Sequence, residues 1–108
     1  MDKAPLTFRM AERKDAPLIL QFIRELARYE KLEQEVVATE SLLEEWIFDK
    51  GKAEVLFALA GGKEVGFALF FHNFSTFLGR AGLYLEDLYV MPEYRGQDYG
   101  KGILRKLA

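Results

Sequence analysis

The segment Leu83–Gly102, LYLEDLYVMPEYRGQDYGKG, passes from an apolar, strand-like half into a basic turn that carries Gly96, Gly100 and Gly102. Two adjacent carboxylates, Glu86 and Asp87, interrupt the strand-like half. Neighbours on a strand face opposite sides. Leu83, Leu85, Val90 and the surrounding aromatics favour burial on both faces, which would put at least one carboxylate in or near the core. A buried carboxylate has to be paired, hydrogen-bonded, protonated or placed beside a cleft. A bulge in the strand would open such a cleft, and a carboxylate there could serve as a general base. The competing reading is an edge strand with both acids solvated. The second half, Tyr94–Gly102, joins this strand to a helix. Unpaired N–H groups and the positive dipole end of a helix favour anions. Glycines let the backbone approach a phosphate closely, and Arg95 and Lys101 add charge. The spacing fits neither the P-loop nor the dinucleotide fingerprint, and an ordinary turn with glycines for geometry is the alternative.

Working outward, residues Leu6 to Ala11 read as a first strand. Asp15 is placed to cap a helix from Ala16, with Pro17 in its first turn. Leu18, Ile19, Phe22, Ile23, Leu26 and Ala27 recur at helical spacing, and that helix should end near Tyr29 to Lys31. On spacing alone, Glu30 is a solvated residue at its end. A charged connector, Lys31 to Thr39, precedes a short helix started by Thr39 or Ser41 and reaching about Phe48; Ser41 and Glu44 have capping-box spacing, Trp46 is a packing residue and Gly51 closes the segment. Two apolar runs, Ala53 to Ala60 and Lys63 to Phe71, flank Gly61-Gly62, a hairpin signal because both positions tolerate positive φ. Asn73 to Gly82 reads as a loop, Leu83 to Met91 as a strand, Pro92 to Gln97 as a turn and Asp98 to Ala108 as a helix. The order gives an α/β layout with a mixed sheet.

Half of the 108 residues are hydrophobic, enough for one packed domain, and the net charge of −2 gives no basic face for nucleic acid. Cysteine is absent and His72 is the one histidine, which leaves no thiolate or His-based metal cluster and no Ser-His-Asp triad. No apolar run has the length of a membrane span. The expectation is a cytoplasmic protein with no metal, no nucleic-acid partner and no membrane partner.

Three stretches, Ile23–Glu30 (IRELARYE), Val65–Ala68 (VGFA) and Leu83–Gly96 (LYLEDLYVMPEYRG), resemble the GNAT superfamily of acetyl-CoA-dependent N-acetyltransferases, in particular its diamine and polyamine branch, the spermidine/spermine and thialysine acetyltransferases. The resemblance implies a mixed, mostly antiparallel sheet with flanking helices, in one domain over residues 1–108. It implies acetyl-CoA as cosubstrate, held at its pyrophosphate by Arg95, Gly96, Gln97, Asp98, Tyr99 and Gly100 and along its pantetheine arm by the backbone of Leu88, Tyr89 and Val90. Glu86 matches the acid that deprotonates the substrate ammonium. Tyr29 and Glu30 match positions that bind the small cationic amine, and a homodimer is the common assembly. An alkylammonium with a pKa of roughly 10.4 has to lose a proton before its nitrogen can attack a thioester.

Two departures from the family pattern stand out. Asp98 takes the place of the middle glycine of the family turn. A carboxylate beside a pyrophosphate repels it by about 1 to 4 kcal/mol per charge pair, so Asp98 is expected to weaken acetyl-CoA affinity unless it turns away as a helix cap. A shifted register ending at Gly100 and Gly102 also fits the looser pattern. The family also continues beyond the segment matching the last helix here, with further strands and the tyrosine that protonates the leaving thiolate. The expectation is therefore an N-terminal part of the fold. Two functions follow: acetyl transfer to a primary amine of a small polyamine or amino-acid-like substrate, or a non-catalytic remnant acting as a binding or self-associating module.

Overall fold

The structure is a computed structural model that describes residues 6–95 and 99–107. Its contacts group into two compact units, one formed by Met1–Met10 with Ala53–Ala108 and the other by Ala11–Lys52.

The first unit is a four-stranded sheet in the order β1-β2-β3-β4 with every pairing antiparallel. The strands are β1 (Leu6–Met10), β2 (Glu54–Ala60), β3 (Lys63–Ser75) and β4 (Arg80–Val90). Gly61 and Gly62 turn β2 into β3 with φ of 59° and 84°, the left-handed geometry that this pair was expected to supply. A helix, α3 (Tyr99–Leu107), follows β4. Its Tyr99 and Ile103 pack with Ala58, Ala60, Ala68 and Val90, and with the half-buried Leu6, Phe8 and Leu88. Small side chains on the sheet let the helix come close. At Gly102 the approach is tightest, since a Cβ there would run into Leu6 Cδ2. On the central strands Phe57, Phe67 and Tyr89 form a buried row of cross-strand neighbours, and Arg9 lies 4.8 Å over the Phe57 ring.

The second unit holds α1 (Ala16–Tyr29) and α2 (Glu40–Leu43), which continues as a π-helical segment, Glu44–Asp49. Of the expected stripe of α1, Ile19, Phe22 and Ala27 are buried and Leu18, Ile23 and Leu26 half-buried, and Leu20 is buried beside them. Arg13 pairs with Asp49 and lies 3.6 Å from Glu44, tying the two ends of this unit together. Gly51, with φ of 61°, ends the segment.

Three expectations are corrected. Asp15 stands at the N-cap of α1 as expected but makes no side-chain capping bond there; its Oδ2 accepts from the Glu12 N–H at 2.7 Å, one turn back. Thr39 is the cap of α2, with Oγ1 accepting from Leu42 N–H at 3.2 Å, so Ser41 and Glu44 lie inside the helical run. The expected loop from Asn73 to Gly82 is mostly strand: β3 runs on to Ser75 and β4 starts at Arg80. Cross-strand pairing of Phe71 with Tyr84 and Phe74 with Ala81 outweighs the weak local preference. The Phe71 and Tyr84 rings stack 5.0 Å apart, and Gly79, at φ 69°, closes the turn with its N–H on Ser75 O. Among the described residues, no helix is long and apolar enough to cross a membrane.

Candidate functional site

The register of β3 and β4 decides where Glu86 stands. Leu69 pairs with Asp87, but Phe70 pairs with Leu85. Glu86 is therefore the extra residue of a β-bulge, with no counterpart on β3. A bulge bends its strand and re-aims the extra side chain. Glu86 is exposed and Asp87 half-buried, so the burial expected around the pair is partial. Leu83 and Tyr84 are exposed too, because β2 pairs with β3 up to Phe70 and no further, leaving the rest of the hairpin without sheet support.

Beyond the bulge the pairing fixes which backbone groups of β4 face outward. Bonded and non-bonded pairs alternate along an antiparallel ladder. Met91 N–H donates to Val65 O at 2.8 Å, so Val90, opposite Gly66, is a non-bonded position whose N–H and C=O point away from β3. Leu88, opposite Ala68, is another. Tyr89 points its carbonyl inward, where a Cβ on Gly66 would meet it at 2.6 Å. Of the three residues expected to line a ligand arm, Leu88 and Val90 present backbone groups to the outer edge. Tyr89 instead puts its side chain into the buried row.

Past the end of β4 a turn at Pro92–Tyr94 leads to Arg95. Its Nε donates to Val90 O at 2.8 Å, and its guanidinium lies 5.3 Å from the Tyr89 ring centre. Gly96, Gln97 and Asp98 lie outside the described residues. Tyr99 is 1% exposed, and its ring belongs to the core beside that of Tyr94, so its backbone is the part able to meet a ligand. Gly100 has nothing within 4 Å of the position its Cβ would take. Gly102 differs, because its missing Cβ makes room for Leu6. Packing thus accounts for Gly102 and leaves Gly100 open, as a close-approaching ligand requires.

Tyr29 and Glu30 belong to the second unit. Glu30 is exposed and ends α1, and Tyr29 is 67% exposed. Lys31, at φ 61°, follows them. Leu32 N–H reaches back to Ala27 O at 2.7 Å and Lys31 N–H to Arg28 O at 3.1 Å, the paired bonds of a Schellman cap. An open groove of about 520 Å³ next to this cap is lined by Arg28, Lys31, Glu33 and Gln34, and Arg28 Nε contacts Glu33 Oε2 at 3.1 Å.

Residues 19–108 match the sequence profile of the Acetyltransferase (GNAT) family. The chain belongs to the GNAT family. The thialysine N-epsilon-acetyltransferases of Sus scrofa and Bos taurus are both 42% identical to it, over 97% and 93% of this chain. The chain spans 66% and 64% of the length of those two relatives. A predicted acetyltransferase of Clostridium acetobutylicum, crystallised with acetyl-CoA, superposes with a TM-score of 0.76 at 17% identity, over 95% of this chain and 71% of that one. At that identity the likeness speaks for the fold, and the fold is that of the GNAT family.

Proposed function

We propose that this protein transfers the acetyl group of acetyl-CoA to a primary amine of a small polyamine or amino-acid-like substrate. The observation that carries the reading is the bulge: it re-aims Glu86 beside a strand edge on which Leu88 presents its N–H and C=O and Val90 its N–H. That edge fits an extended amide chain such as pantetheine, and the open space at Gly100 fits a phosphate beside the start of α3. When bound, acetyl-CoA would supply an activated acyl group. Glu86 would attract the substrate ammonium and take its proton, leaving the nitrogen lone pair free to attack. Tyr29 and Glu30, exposed at the end of α1, would add an aromatic face and a carboxylate for the rest of the cationic substrate. The name of the two mammalian relatives supports an ε-amine of a lysine-like molecule. A cytoplasmic homodimer belongs to the same reading, and analytical ultracentrifugation tests that assembly.

Thermal melting with acetyl-CoA tests binding. Ligand at a hundred times Kd stabilises by about 2.7 kcal/mol, a shift of roughly 10 °C for a chain of this size. Release of CoA with a panel of amines tests transfer. Glu86→Gln should keep the melting shift and lower the transfer rate by about 10²- to 10⁴-fold. Stabilisation by sulfate or nucleotide without any response to CoA would overturn the proposal in favour of a module for another anion. A CoA-dependent shift with no transfer to any amine would favour the non-catalytic reading.

A further inference from the structure

Arg95 does something that its place in an anion-binding turn does not require. Its Nε is committed to the carbonyl oxygen of Val90 at 2.8 Å, and its guanidinium lies over the Tyr89 ring. Val90 O is one of the outward-facing groups of β4, since Val90 sits opposite Gly66 beside the bonded Met91–Val65 pair. A strand edge offers a ladder of similar donors and acceptors, so a chain pairing with it can slip along in steps of two residues and still satisfy its hydrogen bonds. One such slip moves everything on the arriving chain by about 6.8 Å. A reactive end aligned with Glu86 would then be out of reach.

We infer that Arg95 is a positioning residue that, by occupying the Val90 carbonyl, fixes the register in which an extended amide arm pairs with the outer edge of β4. With Val90 O taken, Val90 N–H and the backbone groups of Leu88 remain as the outward ladder, and the arm has one alignment. The bonding atom is Nε, three carbons along the side chain, and not the terminal charge. This role rests on the acetyl-CoA reading above and adds to it a function for the side chain distinct from charge.

The chemistry of two substitutions separates the two functions. Glutamine places an N–H donor the same number of bonds from the backbone as Nε but has no charge. Lysine keeps the charge but places a methylene at that position. Calorimetry on the 108-residue chain compares CoA with 3′-phospho-ADP, which is CoA without its pantetheine arm. In Arg95→Lys, 3′-phospho-ADP should bind within about twofold of the parent, and CoA about three- to tenfold more tightly, because the freed Val90 carbonyl becomes one more acceptor for the arm and opens further alignments. In Arg95→Gln, both should weaken by the same factor and the ratio of the two affinities should match the parent. The affinity ratio is a readout that a purely structural role does not move, and circular dichroism melts of each variant report folding separately. An unchanged ratio in Arg95→Lys overturns the inference while leaving the acetyl-CoA reading intact, and so does a changed ratio in Arg95→Gln. A parent chain that binds neither ligand overturns the acetyl-CoA reading, and this inference with it.

Discussion

Three glycines do three different jobs. Gly66 lets β3 and β4 close up: a Cβ there would meet the backbone carbonyl of Tyr89 at 2.6 Å and Val90 Cα at 3.3 Å. Backbone cannot swing aside as a side-chain end can, so the strands would have to part. Gly66→Ala should cost about 1–3 kcal/mol, as overpacking does, read as a lower urea midpoint. Gly100 has no such neighbour. Gly100→Ala adds helix propensity and should leave the urea midpoint unchanged or raise stability by up to about 1 kcal/mol. The same methyl would fill the space assigned to a phosphate, so acetyl-CoA affinity should fall by about tenfold or more. A variant that is both more stable and as tight a binder would remove Gly100 from the site. Gly102 gives way to Leu6 and belongs to the packing of α3. The sequence does not mark Gly100 and Gly102 apart. What separates them is the atom found within contact distance, which is supplied by residues far away in the chain.

At the scale of elements, ends and irregularities matter more than lengths. The end of α1 holds Tyr29 and Glu30 in place through a Schellman cap whose left-handed residue is Lys31, at φ 61°. That conformation is unfavourable for a residue with a Cβ. Lys31→Gly should stabilise the protein by about 0.5–1 kcal/mol, seen as a rise in melting temperature. No rise would show that the left-handed position costs little here. Helix periodicity marked the body of α1 well, because the stripe of Ile19, Phe22 and Ala27 repeats locally. The bulge at Glu86 left no comparable mark, since a bulge is a property of two strands in register and the partner strand is more than ten residues away. The carboxylate pair gave a hint of it: two charges in an apolar strand need some irregularity to reach solvent. The extension of the hairpin to Ser75 and Arg80 was hidden by its polar residues, which are tolerated there because both faces of that ribbon are largely open.

At the scale of the whole molecule, the conspicuous feature is exposed aromatic and aliphatic surface on that ribbon. Phe74, Leu78, Leu83 and Tyr84 are exposed, and Phe77 is 100% exposed. A side chain that touches nothing contributes little to folding. Phe77→Ser should therefore leave stability within about 0.5 kcal/mol, while lowering concentration-dependent light scattering, since contiguous apolar surface drives association. A large loss of stability would mean that Phe77 is packed in solution. The charge of −2 and the absence of cysteine bear on solubility and redox chemistry and are silent on this patch.

By itself the sequence determined the helical stripe of α1, the Gly61-Gly62 turn, the alternation of strands and helices, and the family signature running from Leu83 to Gly96. Each depends on backbone preferences or spacing among residues close together in the chain. The tertiary structure alone decided that Glu86 is the bulged residue, that the backbone groups of Leu88 and Val90 face the outer edge while those of Tyr89 face β3, that Gly100 is open where Gly102 is filled, and that Arg95 reaches back to the Val90 carbonyl. These are set by strand register and by which atoms meet across the fold. A shift of one residue in pairing would invert each strand's two faces without altering a single local preference.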